Sequence, residues 1–70
     1  MPLTAAPIGK DLKVTKVAAD EKTRRHLENL GILSGAIVVS LSEINGNVIL
    51  KIKDGRLALD RQLATKIFVA

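Results

Sequence analysis

Seventy residues, 47% of them apolar, with a formal charge of +4 and no cysteine, amount to one small domain with no room for a second core or a two-lobed catalytic cleft. Disulfides and Cys-type zinc sites are excluded, so stability must come from an almost wholly aliphatic core in which Phe68 is the only aromatic side chain. Residues 1–35 carry six basic and four acidic side chains and residues 36–70 five and three, which gives a basic balance without the charge block of a nucleic-acid tail.

Residues 1–9, with Pro2, Pro7 and Gly9, read as a lead-in that turns at Ile8-Gly9. Leu12 and Val14 alternate with Lys13 and Thr15 as a half-buried strand, and Val17 falls out of that phase, which predicts a bulge near Lys16. Asp20 as N-cap, Glu21 in the first turn and Gly31 as a left-handed terminus bound a helix over 20–31. Thr23, Leu27 and Leu30 share one face of it. A helix of roughly ten residues is below the ~12–15 needed for stability alone, so packing must hold it.

A tight turn over Ile32-Leu33-Ser34-Gly35 leads into a three-strand meander over 36–60. Asn45-Gly46 and Asp54-Gly55 both signal two-residue type I′ turns. With those pairs central, Leu41 lies opposite Leu50, Val39 opposite Ile52, Ile52 opposite Leu57 and Leu50 opposite Leu59. One face then carries all six apolar residues, and the other carries Val38, Ser40, Lys51, Lys53, Arg56 and Ala58. Residues 61–70 form a helical turn capped by Asp60, with Leu63 inward, and a closing strand with Ile67 and Val69 inward. The expected fold is mainly β: a small, SH3-like, partly open barrel of about five short strands with one short helix and a terminal one-turn helix. Its predicted core is Leu12, Val14, Leu27, Leu30, Ile37, Val39, Leu41, Leu50, Ile52, Leu57, Leu59, Leu63, Ile67 and Val69.

The segment Arg25-His26-Leu27-Glu28-Asn29-Leu30-Gly31-Ile32-Leu33-Ser34-Gly35 resembles the R-x-L-x-x-L-G-i-x-x-G signature of the FeoA family of ferrous iron transport proteins. The tail, from Gly55-Arg56-Leu57-Ala58-Leu59 through Leu63-Ala64 to Ile67-Phe68-Val69, is similar to that family's ending, and Leu3, Gly9, Val14 and Val17 match its opening pattern. His26 replaces a frequent Arg and Ser34 a frequent Pro. The resemblance implies an SH3-like barrel acting in bacterial ferrous iron uptake, docking on or regulating FeoB, a large membrane transporter with a cytoplasmic GTP-binding domain. It also implies a cytoplasmic location, which agrees with a start that lacks the pattern of a signal peptide and with the absence of any apolar run of membrane-span length. The same fold occurs behind the DNA-binding parts of metal-dependent repressors related to the diphtheria toxin repressor, so a detached regulatory domain is an alternative.

The residues themselves point away from chemistry. The lone His26 has no paired nucleophile, and Asp20, Asp54 and Asp60 are used by caps and a turn. Ferrous iron requires converging imidazole, carboxylate or thiolate ligands, and His26 and Glu28 do not share a helix face at i, i+3 or i+4. No catalytic, metal or cofactor site is therefore expected. A nucleic-acid-binding barrel is the competing class, since Lys51, Lys53 and Arg56 fall on one face, but a single Phe offers no stacking platform. A protein-binding module remains. Leu33, Val38, Ile49 and Phe68 are the apolar candidates for its docking surface, with Lys51 and Arg56 as the basic ones, which suits a partner that is acidic and partly apolar.

Overall fold

The computed structural model describes residues 1–70. A 3-10 turn, Leu3–Ala5, precedes strand β1 (Asp11–Val17) and helix α1 (Glu21–Asn29). Strands β2 (Ile37–Ile44), β3 (Asn47–Ile52) and β4 (Gly55–Leu59), the short helix α2 (Arg61–Ala64) and β5 (Ile67–Val69) follow. The five strands make one antiparallel sheet in the order β4-β3-β2-β1-β5. It curls over its core without closing, as a small SH3-like open barrel. β1 serves both halves: its first residues pair with β2 and its last with β5, and the expected bulge lies between Val14 and Lys16.

Both helices start where a carboxylate can accept a free backbone N–H. Asp20 accepts from Thr23 at 2.7 Å and Asp60 from Leu63 at 2.8 Å. α1 ends in a Schellman turn: Gly31, at φ 96°, donates to the Glu28 carbonyl, and Ile32 donates to that of Leu27. The turn brings Ile32 inward beside Leu27, both fully buried. Leu30, the helix C-cap, is left 37% exposed, contrary to its place in the expected core.

The meander departs from the expected registers in two places. At its first turn Asn45 and Gly46 both take positive φ, as a type I′ turn requires. Ile44 then pairs with Asn47 and Ser42 with Ile49. Beyond Ser42 the register shifts across Leu41, so Ser40 rather than Leu41 faces Leu50, and Val39 faces Lys51. Val38 and Ser40 consequently point inward and are buried, while Ile37 is exposed and Val39 and Leu41 are half-buried. At the second turn Asp54 does not adopt positive φ, so the two-residue loop is Lys53-Asp54 and Ile52 pairs with Gly55. Leu50 then faces Leu57, and Val48 faces Leu59. This slip of two residues keeps Leu57 and Leu59 on the inner side.

Leu12, Val14, Leu27, Leu50, Leu59, Ile67 and Val69 are buried as expected, with Ile52, Leu57 and Leu63 packed half-buried against them. The remaining core positions are filled by Leu3, Ile32, Val38, Val48 and Ala64. Leu3 makes the first nine residues more than a lead-in. Met1 and Val69 exchange backbone hydrogen bonds, Pro2 bridges to Phe68, and the 3-10 turn drops Leu3 into the core at 1% exposure.

Leu50→Ala should cost about 2–5 kcal/mol in a urea melt, because a fully buried leucine leaves a cavity. Leu30→Ala, at the exposed end of α1, should stay within about 0.5 kcal/mol. The Thr23 backbone N–H, aided by the charges of Lys66 and Lys22, holds the Asp20 carboxyl below its ordinary 3.8. A carboxyl with a lowered folded value stabilises above its unfolded value, and that contribution is lost as pH falls through the folded one. Asp20→Asn should therefore flatten the fall of the urea midpoint below pH 3.8.

Candidate functional site

The outward turn of Ile37 and Val39 creates the most distinctive surface of the molecule. A groove of about 640 Å³ lies between the α1–β2 loop, the starts of β1 and β2, and the β3–β4 turn. Its apolar lining is Leu33, Ala36, Ile37, Val39 and Ile52; Leu33 and Ile37 are 44% and 53% exposed. Leu33 and Ile37, with half-buried Val39 and Ile52 beside them, form one contiguous apolar patch. Gly31 lines the same groove, and a side chain begun there would lie 3.8 Å from Ile52 Cδ1. The loop thus passes directly over Ile52, in a left-handed turn that glycine enters without strain.

The polar rim follows from the registers. Asp11 pairs with Val39, Val39 with Lys51 and Lys51 with Arg56, so one row crosses four strands on the outer face. Lys13 stands opposite Ile37, and Lys53 and Asp54 close the groove at the turn. None of these charges is used internally. The molecule's two ion pairs are Arg25–Glu21 at 2.7 Å and Arg61–Glu43 at 2.9 Å, both elsewhere. The groove therefore presents aliphatic atoms flanked by cationic groups that form no ion pair, with the carboxylates of Asp11 and Asp54 in the same rim.

The sequence candidates distribute unevenly over this surface. Leu33 and Lys51 line the groove, and Arg56 stands opposite Lys51 beyond its rim. Ile49 is half-buried on the same outer side of β3, facing Ala58. Phe68 lies apart: it is half-buried on β5, at the far end of the sheet, paired with Lys16 and backed by Pro2. Val38 is not a surface residue at all, because the shift at Leu41 turns it into the core at 1% exposure. Ile37, Val39 and Ile52 are the groove residues that sequence reasoning missed, having been assigned inward. No local sequence signal marks them: Val38 turns inward because the fold pairs it with buried Leu12, which sends its neighbours Ile37 and Val39 outward.

His26 is exposed on α1, and nowhere do three His, Asp or Glu side chains gather as a metal would need. No helix is long and apolar enough to cross a membrane.

With this geometry in place, comparison with known proteins is specific. The family model described as the FeoA domain matches residues 1–70. The FeoA protein from Chlorobium tepidum, solved by NMR, is 30% identical over 99% of this chain and 68% of its own, with a TM-score of 0.89. A crystal structure of an iron uptake regulatory protein (FeoA) has 24% identity over 100% of this chain and 93% of its own, again at 0.89. Iron(II) transport protein A from Clostridium thermocellum, at 17% identity, shares the fold over 99% of this chain and 44% of its own, at 0.89. A comparison with curated proteins gives no match.

Added Fe²⁺ or Zn²⁺ should leave the Tm nearly unchanged. A ligand that binds only the folded state stabilises by ~2.7 kcal/mol at a hundred times its Kd, a shift readily seen in a domain of this size. A large upward shift at micromolar metal, abolished in His26→Ala, would reveal a site built on that histidine.

Proposed function

This chain belongs to the FeoA family, and from that premise we propose that it is a non-enzymatic accessory protein of ferrous iron uptake, acting in the cytoplasm by docking on the cytosolic part of the membrane transporter FeoB. The observation that carries the reading is the groove. Exposed Leu33 and Ile37 beside Val39 and Ile52 offer contact area, and Lys51, Lys53 and Arg56 offer charge without an internal partner. Aliphatic contact supplies most of the affinity of such a surface, and charge speeds encounter with an acidic partner. Nothing in the groove provides a nucleophile beside a base. A nucleic-acid ligand is less well suited, since Asp11 and Asp54 stand in the same rim and aliphatic lining is no platform for bases.

The test is binding of the full chain to the purified cytosolic part of FeoB. Leu33→Asp and Ile37→Asp replace exposed side chains and should weaken the complex by roughly tenfold or more, mainly through faster dissociation. Lys51→Glu should slow association at low salt and matter less as salt rises. Unchanged binding in the Leu33 and Ile37 variants would remove the groove as the docking surface. Tight, steeply salt-dependent binding to DNA or RNA would favour the nucleic-acid reading instead.

A further inference from the structure

The sheet has two ends, and they are finished differently. Beyond β5 the first residues cover the edge: Met1 bonds to Val69 and Pro2 bridges to Phe68. Beyond β4 nothing does, because outside the helices and strand ladders no backbone hydrogen bond involves residues 55–59. In an antiparallel ladder, pairs that exchange hydrogen bonds alternate with pairs whose N–H and C=O groups point away from each other. Ile52 and Gly55 flank the two-residue loop and exchange bonds, so Leu50 with Leu57 and Val48 with Leu59 do the same. Arg56 and Ala58, both exposed, therefore direct their N–H and C=O groups to the open edge.

We infer that the β4 edge accepts an added strand from a partner, and that this strand alternates acidic and aliphatic side chains. The charge of the edge selects the occupant. Lys51 and Arg56 stand directly opposite one another on the outer face, and neither is in an ion pair. Like charges so placed repel. A strand laid beside β4 brings a side chain opposite Arg56 on that face, where a carboxylate relieves the repulsion and a cation extends it to a third strand. The alternate side chains of the same strand turn inward beside Leu57 and Leu59, where aliphatic groups fit. A second copy of β4 is a poor occupant, since its own Arg56 would join the cationic row. The short strand and its arginine thus guard the edge against self-pairing while leaving it open to an acidic strand. This edge continues the sheet past β4, whereas the groove lies between the α1–β2 loop, the starts of β1 and β2 and the β3–β4 turn. Lys51 and Arg56 bear on both surfaces, so the backbone amides of Arg56 and Ala58 against those of Leu33 and Ile37 tell the two apart.

The probe is a blocked Glu-Val-Glu-Val-Glu peptide, with Lys-Val-Lys-Val-Lys as control, titrated into the isotope-labelled full chain. The acidic peptide should shift the amide signals of Arg56 and Ala58 and slow their hydrogen exchange, and the basic peptide should not. Ala58→Pro removes one edge donor but no bond to β3, and should weaken binding roughly tenfold. Arg56→Glu keeps every edge donor and should reverse the preference between the peptides, which covers the case of a proline variant that does not fold. Equal response to both peptides, shifts centred on Leu33 and Ile37, or unchanged exchange at Arg56 and Ala58 would overturn the inference. So would protection of those amides by self-association of the free chain.

Discussion

β2 is held from two sides by pairings that demand opposite faces. On one side Leu12 faces Val38 with both side chains buried, which turns the even-numbered residues of the early strand inward. On the other side the Asn45-Gly46 turn pairs Glu43 with Val48, which turns the odd-numbered residues of the late strand toward the core side. Both cannot hold along a regular strand, because the side-chain period is two. One extra residue at Leu41 reconciles them. The core depends on that residue, since it lets Val38 and Val48 both be buried. So does the surface, because the same shift sends Ile37 and Val39 outward to line the groove.

A core of this size is completed from segments that look peripheral in the sequence. Leu3 enters from the first residues, Ile32 from the turn after α1 and Ala64 from a single turn of helix. Each is placed by backbone hydrogen bonds and not by a regular apolar pattern. Ile32 is carried in by the Schellman turn, Leu3 by the pairing of Met1 with Val69, and Ala64 by the turn that Asp60 caps. Small domains bury a low fraction of their surface, so each such residue counts heavily in the balance.

What was legible in the sequence is what short-range chemistry decides. Asp20, Asp60, Gly31 and the Asn45-Gly46 turn act through neighbours within a few residues, and each does in the structure what its type predicts. The strand count, the order of elements and the SH3-like curl followed from those signals, and the family from the joint spacing of Arg25–Gly35 with the tail. The groove was not legible, because its lining depends on a parity set jointly by Leu12 on β1 and the turn between β2 and β3. No glycine or proline marks the shift at Leu41. The second hairpin misled for a different reason. Asp-Gly is a strong turn signal, but Asp54 keeps negative φ, and Gly55 opens β4 instead of closing the loop.

The distribution of charge also bears on what can cover the exposed Leu33 and Ile37. Two copies meeting groove to groove would bring Lys51, Lys53 and Arg56 of each against those of the other, on chains that already carry +4 each. That repulsion acts before apolar atoms can touch, and it is strongest at low ionic strength. The acids of the rim, Asp11 and Asp54, offset only part of it. The row would therefore attract an acidic partner and repel a second copy. Aliphatic contact alone would not distinguish them. In the proposed docking role, aliphatic lining would offer contact to any partner, and the unpaired cations beside it would favour an acidic one.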